Sequence, residues 1–186
     1  MKYVVTFILL LCASVNCQSQ VVHGNFVKMK GGLIGSLWYP SCTFGKVNDT
    51  FFFRLCLMSS DTNYSMPENS KLLIKFDNDS VMNLIRIGNL EKDHGWMQNI
   101  RYFTTVASYV CINDDIIDSK DFYKIIIGHK IKKIRVELNN GVRFDFEVPS
   151  KYQEKLKNRL IEEVDNILAK YSILNNNITS NLDENF

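Results

Sequence analysis

The chain has 186 residues, with 22 Lys+Arg against 20 Asp+Glu for a formal net charge of +2, and is 46% hydrophobic and 23% charged. These are ordinary globular proportions. They exclude collagen-like, disulfide-dense and wholly disordered classes, and give no reason to expect nucleic acid as a partner. The length suits one domain with a sizeable core rather than two.

The chain opens MKYVVTFILLLCASVNCQSQ. Lys2 supplies a short positive end, Val4 to Ala13 an apolar run, and the polar Ser-Val-Asn-Cys-Gln-Ser stretch a place for cleavage. The run is too short to span a bilayer as a helix, which needs ~20 residues. Residues 1–17 are therefore expected to be a secretory signal, processed after Cys17 or Ser19, leaving no transmembrane span. The alternative is lipidation of Cys17, although Asn16 is a poor residue to precede a lipidated cysteine. Either way the mature chain is expected outside the cytosol, periplasmic or secreted, with an outer-membrane lipoprotein as the variant. Loss of residues 1–17 leaves Cys42, Cys56 and Cys111, an odd number that allows one bridge plus a thiol or none. Cys56 and Cys111 lie in apolar strand-like runs, which favours buried thiols.

The mature chain begins with an expected strand over Val21–Lys30, a Gly31-Gly32 turn, and a short strand Leu33–Tyr39 closed by Pro40. Thr50–Met58 (TFFFRLCLM) is nearly continuous in apolarity and predicts a strand covered on both faces. The polar stretch Ser59–Asn69 is an expected loop. Lys71–Ile87 reads as a hairpin turning through Asp77-Asn78-Asp79-Ser80. One register opposes Phe76 to Met82 and Ile74 to Leu84, but sets Leu72 against Arg86. Gly88–Asn99 is expected to be a loop and Arg101–Ile112 a long strand. Asp118 and Ser119 can cap a short helix from about Lys120 to Ile126 that stops at Gly128.

Ile131–Val148 carries the sharpest structural expectation. A two-residue Asn140-Gly141 turn would set Leu138 against Arg143 and Val136 against Asp145, mixing core and solvent faces. A three-residue loop over Asn139–Gly141 instead pairs Leu138 with Val142, Val136 with Phe144 and Ile134 with Phe146. Its outer face then sets Glu137 against Arg143, Arg135 against Asp145 and Lys133 against Glu147, all opposite in sign. The longer loop is favoured, and these charges are better explained by register than by ligand binding.

Pro149 ends this strand, and Ser150 with Gln153 has capping-box spacing. Tyr152, Leu156, Leu160, Val164, Ile167, Leu168 and Tyr171 then recur at steps of three and four, predicting an amphipathic helix packed on the sheet. Residues 18–171 form one expected α+β domain, and the Asn-rich segment 172–186 an expected disordered tail.

Catalytic signatures are absent from the sequence. His23, His94 and His129 are far apart and make no His-Glu-x-x-His spacing, and no serine lies in a Gly-x-Ser-x-Gly elbow. Asp77-Asn78-Asp79 resembles the opening of a calcium loop but lacks the downstream Gly and Glu. The Lys130, Lys132, Lys133 and Arg135 cluster alternates with isoleucines as a solvated strand face does. No catalytic, cofactor or metal residue is therefore assigned. The best recognition candidates are two aromatic segments: Leu37-Trp38-Tyr39-Pro40, and Asp93-His94-Gly95-Trp96 in the expected polar loop. Trp38, Tyr39, His94 and Trp96 offer flat faces with a polar edge.

The KLLIKFDNDSVMNL and KIKKIRVELNNGVRFDFEV segments resemble small exported proteins of the Bacteroidetes type, in which a β-rich domain ends with one amphipathic helix. The resemblance spans Thr50 to Tyr171 and implies no activity, cofactor or site. The expected architecture is a mainly antiparallel sheet of about seven or eight strands, with one short helix before the last hairpin and the C-terminal helix across the sheet. The expected function is an exported, non-enzymatic binding or envelope-interaction module for a protein, glycan or lipid ligand. The rivals are an exported hydrolase using scattered His, Asp and Glu residues, and a small lipid-binding domain.

Overall fold

The computed structural model describes residues 21–29, 37–60, 64–111, 121–138 and 141–183. They form nine strands: β1 (Val21–His23), β2 (Val27–Lys28), β3 (Leu37–Val47), β4 (Thr50–Ser59), β5 (Lys71–Phe76), β6 (Val81–Met97), β7 (Ile100–Cys111), β8 (Ile131–Glu137) and β9 (Arg143–Glu147). Helix α1 (Phe122–Gly128) precedes β8, and α2 (Ser150–Asp183) follows β9. All pairing is antiparallel, in the order β1-β3-β4-β7-β6-β5-β8-β9, with β2 also on β3. The architecture is the α+β class expected from sequence, with one or two strands more.

The β8–β9 hairpin has the charge-matched register. Lys133 faces Glu147, Arg135 faces Asp145 and Glu137 faces Arg143, while Leu138 N donates to Val142 O at 2.8 Å. Gly141 has φ 71°, the left-handed conformation a three-residue loop requires. Arg135 meets Asp145 with Nε–Oδ1 at 2.5 Å and Nη2–Oδ2 at 2.7 Å, and Lys133 Nζ lies 2.9 Å from Glu147. The hydrogen bond from Arg135 holds the Asp145 carboxyl below its ordinary value of 3.8. A group with a depressed folded pKa stabilises above its unfolded pKa, and that contribution is lost as pH falls through the folded value. Asp145→Asn should therefore lower the urea midpoint slightly near neutrality, and the two proteins should converge as the pH falls through and below the ordinary carboxylate range.

Hairpin β5–β6 slides by two residues from the register weighed on sequence. Phe76 N donates to Ser80 O, Asp79 has φ 63°, and Leu72 now faces Leu84 while Ile74 faces Met82. This register keeps apolar residues together and leaves Arg86 beyond the paired end of β5, its N–H on Ser70 O at 3.0 Å.

Following side chains across paired strands defines the core face. Cys42, Leu55 and Ala107 form one row, and Phe44, Phe53, Tyr109 and Arg86 the next. β4 is buried on both faces, as its unbroken apolar run predicts. Leu156, Leu160, Val164 and Ile167 of α2 complete the core. Both ends of the sheet reach this helix, because Val27 of β2 and Val148 after β9 flank Tyr152 and Leu156 in one cleft. The sheet thus curls around α2. Asn25 N donates to Glu163 Oε2 at 2.7 Å, and the Lys46 ammonium sits 3.9 Å from the Tyr171 ring centroid. Lys130 and Lys157 tie the α1 end to α2 through Glu154 at 2.9 Å and Gly128 O at 3.0 Å.

Other expectations change. The first strand is broken into β1 and β2, and β3 runs on through Pro40. A register shift between Trp38 and Ser41 absorbs the proline, whose carbonyl accepts from Met29 N at 2.8 Å. Gly88–Asn99 is not a loop but most of an arm of β6 and its turn. Leu168, expected on the apolar stripe, is 40% exposed. Gln153 Nε2 donates to Val148 O at 2.8 Å. The helix continues from Tyr171 to Asp183, across most of the expected disordered tail. Cys42, Cys56 and Cys111 are buried, and desolvation pushes the Cys42 thiol up to about 12. The expected signal segment with Cys17, the Gly31-Gly32 turn and the Asp118/Ser119 cap lie outside the described residues.

Candidate functional site

β6, with 17 residues, is much longer than its neighbour β5, with 6, and the ends of β6 and β7 project together as a two-stranded ribbon. β5 pairs with β6 only as far as Ile85, and β4 pairs with β7 only from Phe103 onward. β6 and β7 hold each other in continuous register from Glu91–Val106 to Met97–Ile100, with Glu91–His94 as the edge of the sheet, where β7 still pairs with β4, and Gly95–Met97 with Ile100–Tyr102 standing free as two strands. The hairpin closes through Gln98 (φ 50°) and Asn99 (φ 64°), two left-handed residues that give the primed turn favoured in two-residue hairpins. At the base, the register shift between Ile87 and Glu91 leaves two extra residues on β6, with Gly88 at φ 62°. Such a bulge bends the strand away from the body of the sheet.

Cross-strand pairing orders the side chains at the tip. Trp96 pairs with Arg101 and His94 with Phe103, so an indole, a guanidinium, an imidazole and a phenyl ring share one face. Arg101 lies over the Phe103 ring at 4.9 Å, and the His94 ring is 6.5 Å from the same phenyl. Trp96 is 70% exposed and Ile100 50%. On the opposite face the Tyr102 ring covers Gly95, where a Cβ would lie 2.5 Å from the phenol oxygen. Glycine is needed here for that close approach, and the covering ring restores packing the missing side chain would give.

The ribbon is pinned to the body by Arg54. Its Nη2 lies 2.6 Å from both Glu91 oxygens, and its guanidinium sits 5.2 Å from the Phe26 ring centroid. Arg54 is buried while Glu91 remains 59% exposed, so the pair bridges core and ribbon. His23 packs edge-on against Phe52 nearby. Partial burial lowers its pKa first, then Arg54, with Glu91 opposing.

Of the sequence candidates, His94 and Trp96 lie on the ribbon. Trp38 lies on β3, opposite Met58, and Tyr39 falls in the register shift that follows. Trp38, Met58, Thr104 and Asp93 form one backbone row, which puts both aromatic segments at the same end of the sheet. Sequence reasoning missed Ile100, Arg101 and Phe103, and the Arg54–Glu91 anchor. No local pattern marks the first three, and only the register of β7 on β6 brings them to the tip.

A second feature is a cleft of about 390 Å³ between Phe26–Lys28 and the first turns of α2. Val27, Val148 and Leu156 form its floor, and Lys28, Lys155 and Arg159 its rim. His129 Nδ1 lies 3.9 Å from Asp77, with both side chains partly exposed. Among the described residues no cluster of three or more His, Cys, Asp or Glu could hold a metal ion, and no helix is long and apolar enough to cross a membrane. No protein-family model, curated protein or solved structure matches the chain. The features therefore define it at the level of class: an α+β domain that presents a bulge-jointed aromatic ribbon.

Proposed function

We infer that the protein is an exported, non-enzymatic recognition module that engages its partner through the tip of the β6–β7 ribbon. Trp96 carries this reading. A large aromatic side chain held 70% exposed on a stiff, paired scaffold exposes apolar surface that the protein's own fold leaves uncovered. Tryptophan and arginine are also the residues that most often dominate binding energy, and both stand here on one face. The apolar run Val4–Ala13 supports export, with lipidation at Cys17 as the membrane-tethered variant. The hydrolase reading has less support, since His23, His94 and His129 are on three separate features. The lipid reading has less too, since the cleft beside α2 is a surface groove.

The chain has two tryptophans, so Trp38→Phe leaves Trp96 as a single reporter. This variant is titrated against a glycan array, anionic and zwitterionic vesicles, and envelope proteins from the source organism. A blue shift of Trp96 emission with one of these is the expected result. In the native background Trp96→Ala should then weaken binding at least tenfold, about 1.4 kcal/mol, with the circular dichroism spectrum unchanged. Equal retention of Trp96→Ala, or emission that stays fully solvent-like with every probe, would remove the ribbon from the function.

A further inference from the structure

A different observation concerns Arg86. Its side chain lies on the core face of β6, in the row with Phe44, Phe53 and Tyr109, and is only 7% exposed. The nearest carboxylate oxygen, from Glu68, is 4.0 Å away, beyond hydrogen-bond reach, and Glu68 itself is 87% exposed. Arg86 Nε is buried without a hydrogen-bond partner. Arg54 Nε is likewise unpartnered, but its Nη2 meets a carboxylate at 2.6 Å from both oxygens, a contact Arg86 lacks. A buried guanidinium with an unpartnered Nε and its carboxylate beyond hydrogen-bond reach is costly, and a planar donor fork of this kind matches oxyanions.

Arg86 also opens onto space. Glu68, Asn69, Arg86, Gly88 and Asn89 line a recess of about 210 Å³ at the base of the ribbon. That equals the liquid volume of about seven waters at ~30 Å³ each, enough for an oxyanion with a few attached atoms. The backbone that shapes it turns sharply, with left-handed residues at Asn69 (φ 61°) and Gly88 (φ 62°). Asn69 and Asn89 are among the lining residues, and both their backbone and their side-chain N–H groups are of the type that donates to anions.

We propose that this recess is a binding site for a small oxyanion, of the phosphate or carboxylate class, with Arg86 as its principal ligand. Glu68 stands at the same site as an internal competitor, held too far away to satisfy the guanidinium. Occupancy would brace the bulge from which the ribbon projects, since Gly88 and Asn89 belong to both.

The test is titration of the full chain with inorganic phosphate and with acetate, at ionic strength held constant with sodium chloride, followed by calorimetry and by amide shifts of residues 68–70 and 86–89. Saturable binding by either anion is expected. Arg86→Met keeps the volume and removes the charge, and should weaken binding at least tenfold with the fold intact by circular dichroism. Glu68→Gln removes the competitor and should tighten binding about threefold. A linear, unsaturable response that chloride reproduces, or undiminished binding by folded Arg86→Met, would overturn the proposal. Should Arg86→Met not fold, the Glu68 arm decides alone, and unchanged or weaker binding by Glu68→Gln would overturn it.

Discussion

Truncating Leu160 to alanine should destabilise the protein by about 2–5 kcal/mol, a drop read from urea or thermal unfolding. Leu160 is completely buried, between the equally apolar Leu156 and Val164 on the face of α2 that meets the curled sheet. Removing its branched end deletes contacts and leaves a cavity, and the cost depends on how far the surroundings collapse. Collapse is limited here. The helix is held by Asn25 and Glu163, by Lys46 and Tyr171, and by Lys157 at the end of α1. A restrained helix cannot slide to refill the space, which argues for the upper half of the range. Leu168→Ala, two turns further on and 40% exposed, is the internal control and should cost well under 1 kcal/mol.

Glu91→Ala should have the next largest effect, about 2 kcal/mol, whereas Arg54→Met should cost less. The asymmetry follows from burial. Removing Glu91 leaves the Arg54 guanidinium in place, almost wholly desolvated, with its Nε already lacking a partner. Breaking a fully buried pair in this way costs ~3–5 kcal/mol, and the 59% exposure of Glu91 reduces it. Methionine at position 54 instead replaces the charge with an apolar chain beside Phe26 and Phe52, leaving Glu91 to be solvated. A double-mutant cycle in urea gives the coupling. Equal losses for the two single variants would show that the anchor is not a buried charge held by a surface one. The same pair orients the ribbon, so Glu91→Ala should also weaken whatever Trp96 binds.

Legibility from sequence followed the physics of each segment. The β8–β9 hairpin was readable residue by residue, because one face is core and the other carries alternating charge, so a one-residue slip is penalised twice. β4 was readable because its burial on both faces leaves an unbroken apolar run. The ribbon was not. Residues 88–99 mix two glycines, two asparagines and several charges, and a ribbon with water on both faces has no apolar alternation to display. Its strand character comes from pairing with β7, which no local pattern encodes. Pro40 looked like a strand end, but an irregular register at Tyr39–Pro40 lets β3 pass through. Beyond Tyr171 the stripe thins to Leu174, Ile178 and Leu182 among asparagines, which are weak helix formers, so the helical continuation to Asp183 was hard to read. His94 and Trp96 were picked out for their chemistry, while their partners Arg101 and Phe103 needed the register to be found.

The curl of the sheet around α2 has a consequence for biosynthesis. The concave face is built from strands made early, yet the helix that fills it is made after all of them. β1 and β2, among the first described segments, complete their packing only against Glu163 and Ile167, near the other end of the chain. Until then the rows around Phe44, Leu55, Leu72 and Ile134 face water or one another. The domain therefore cannot close until α2 has been made, and a nascent chain halted before Ser150 would expose a broad apolar trough prone to self-association.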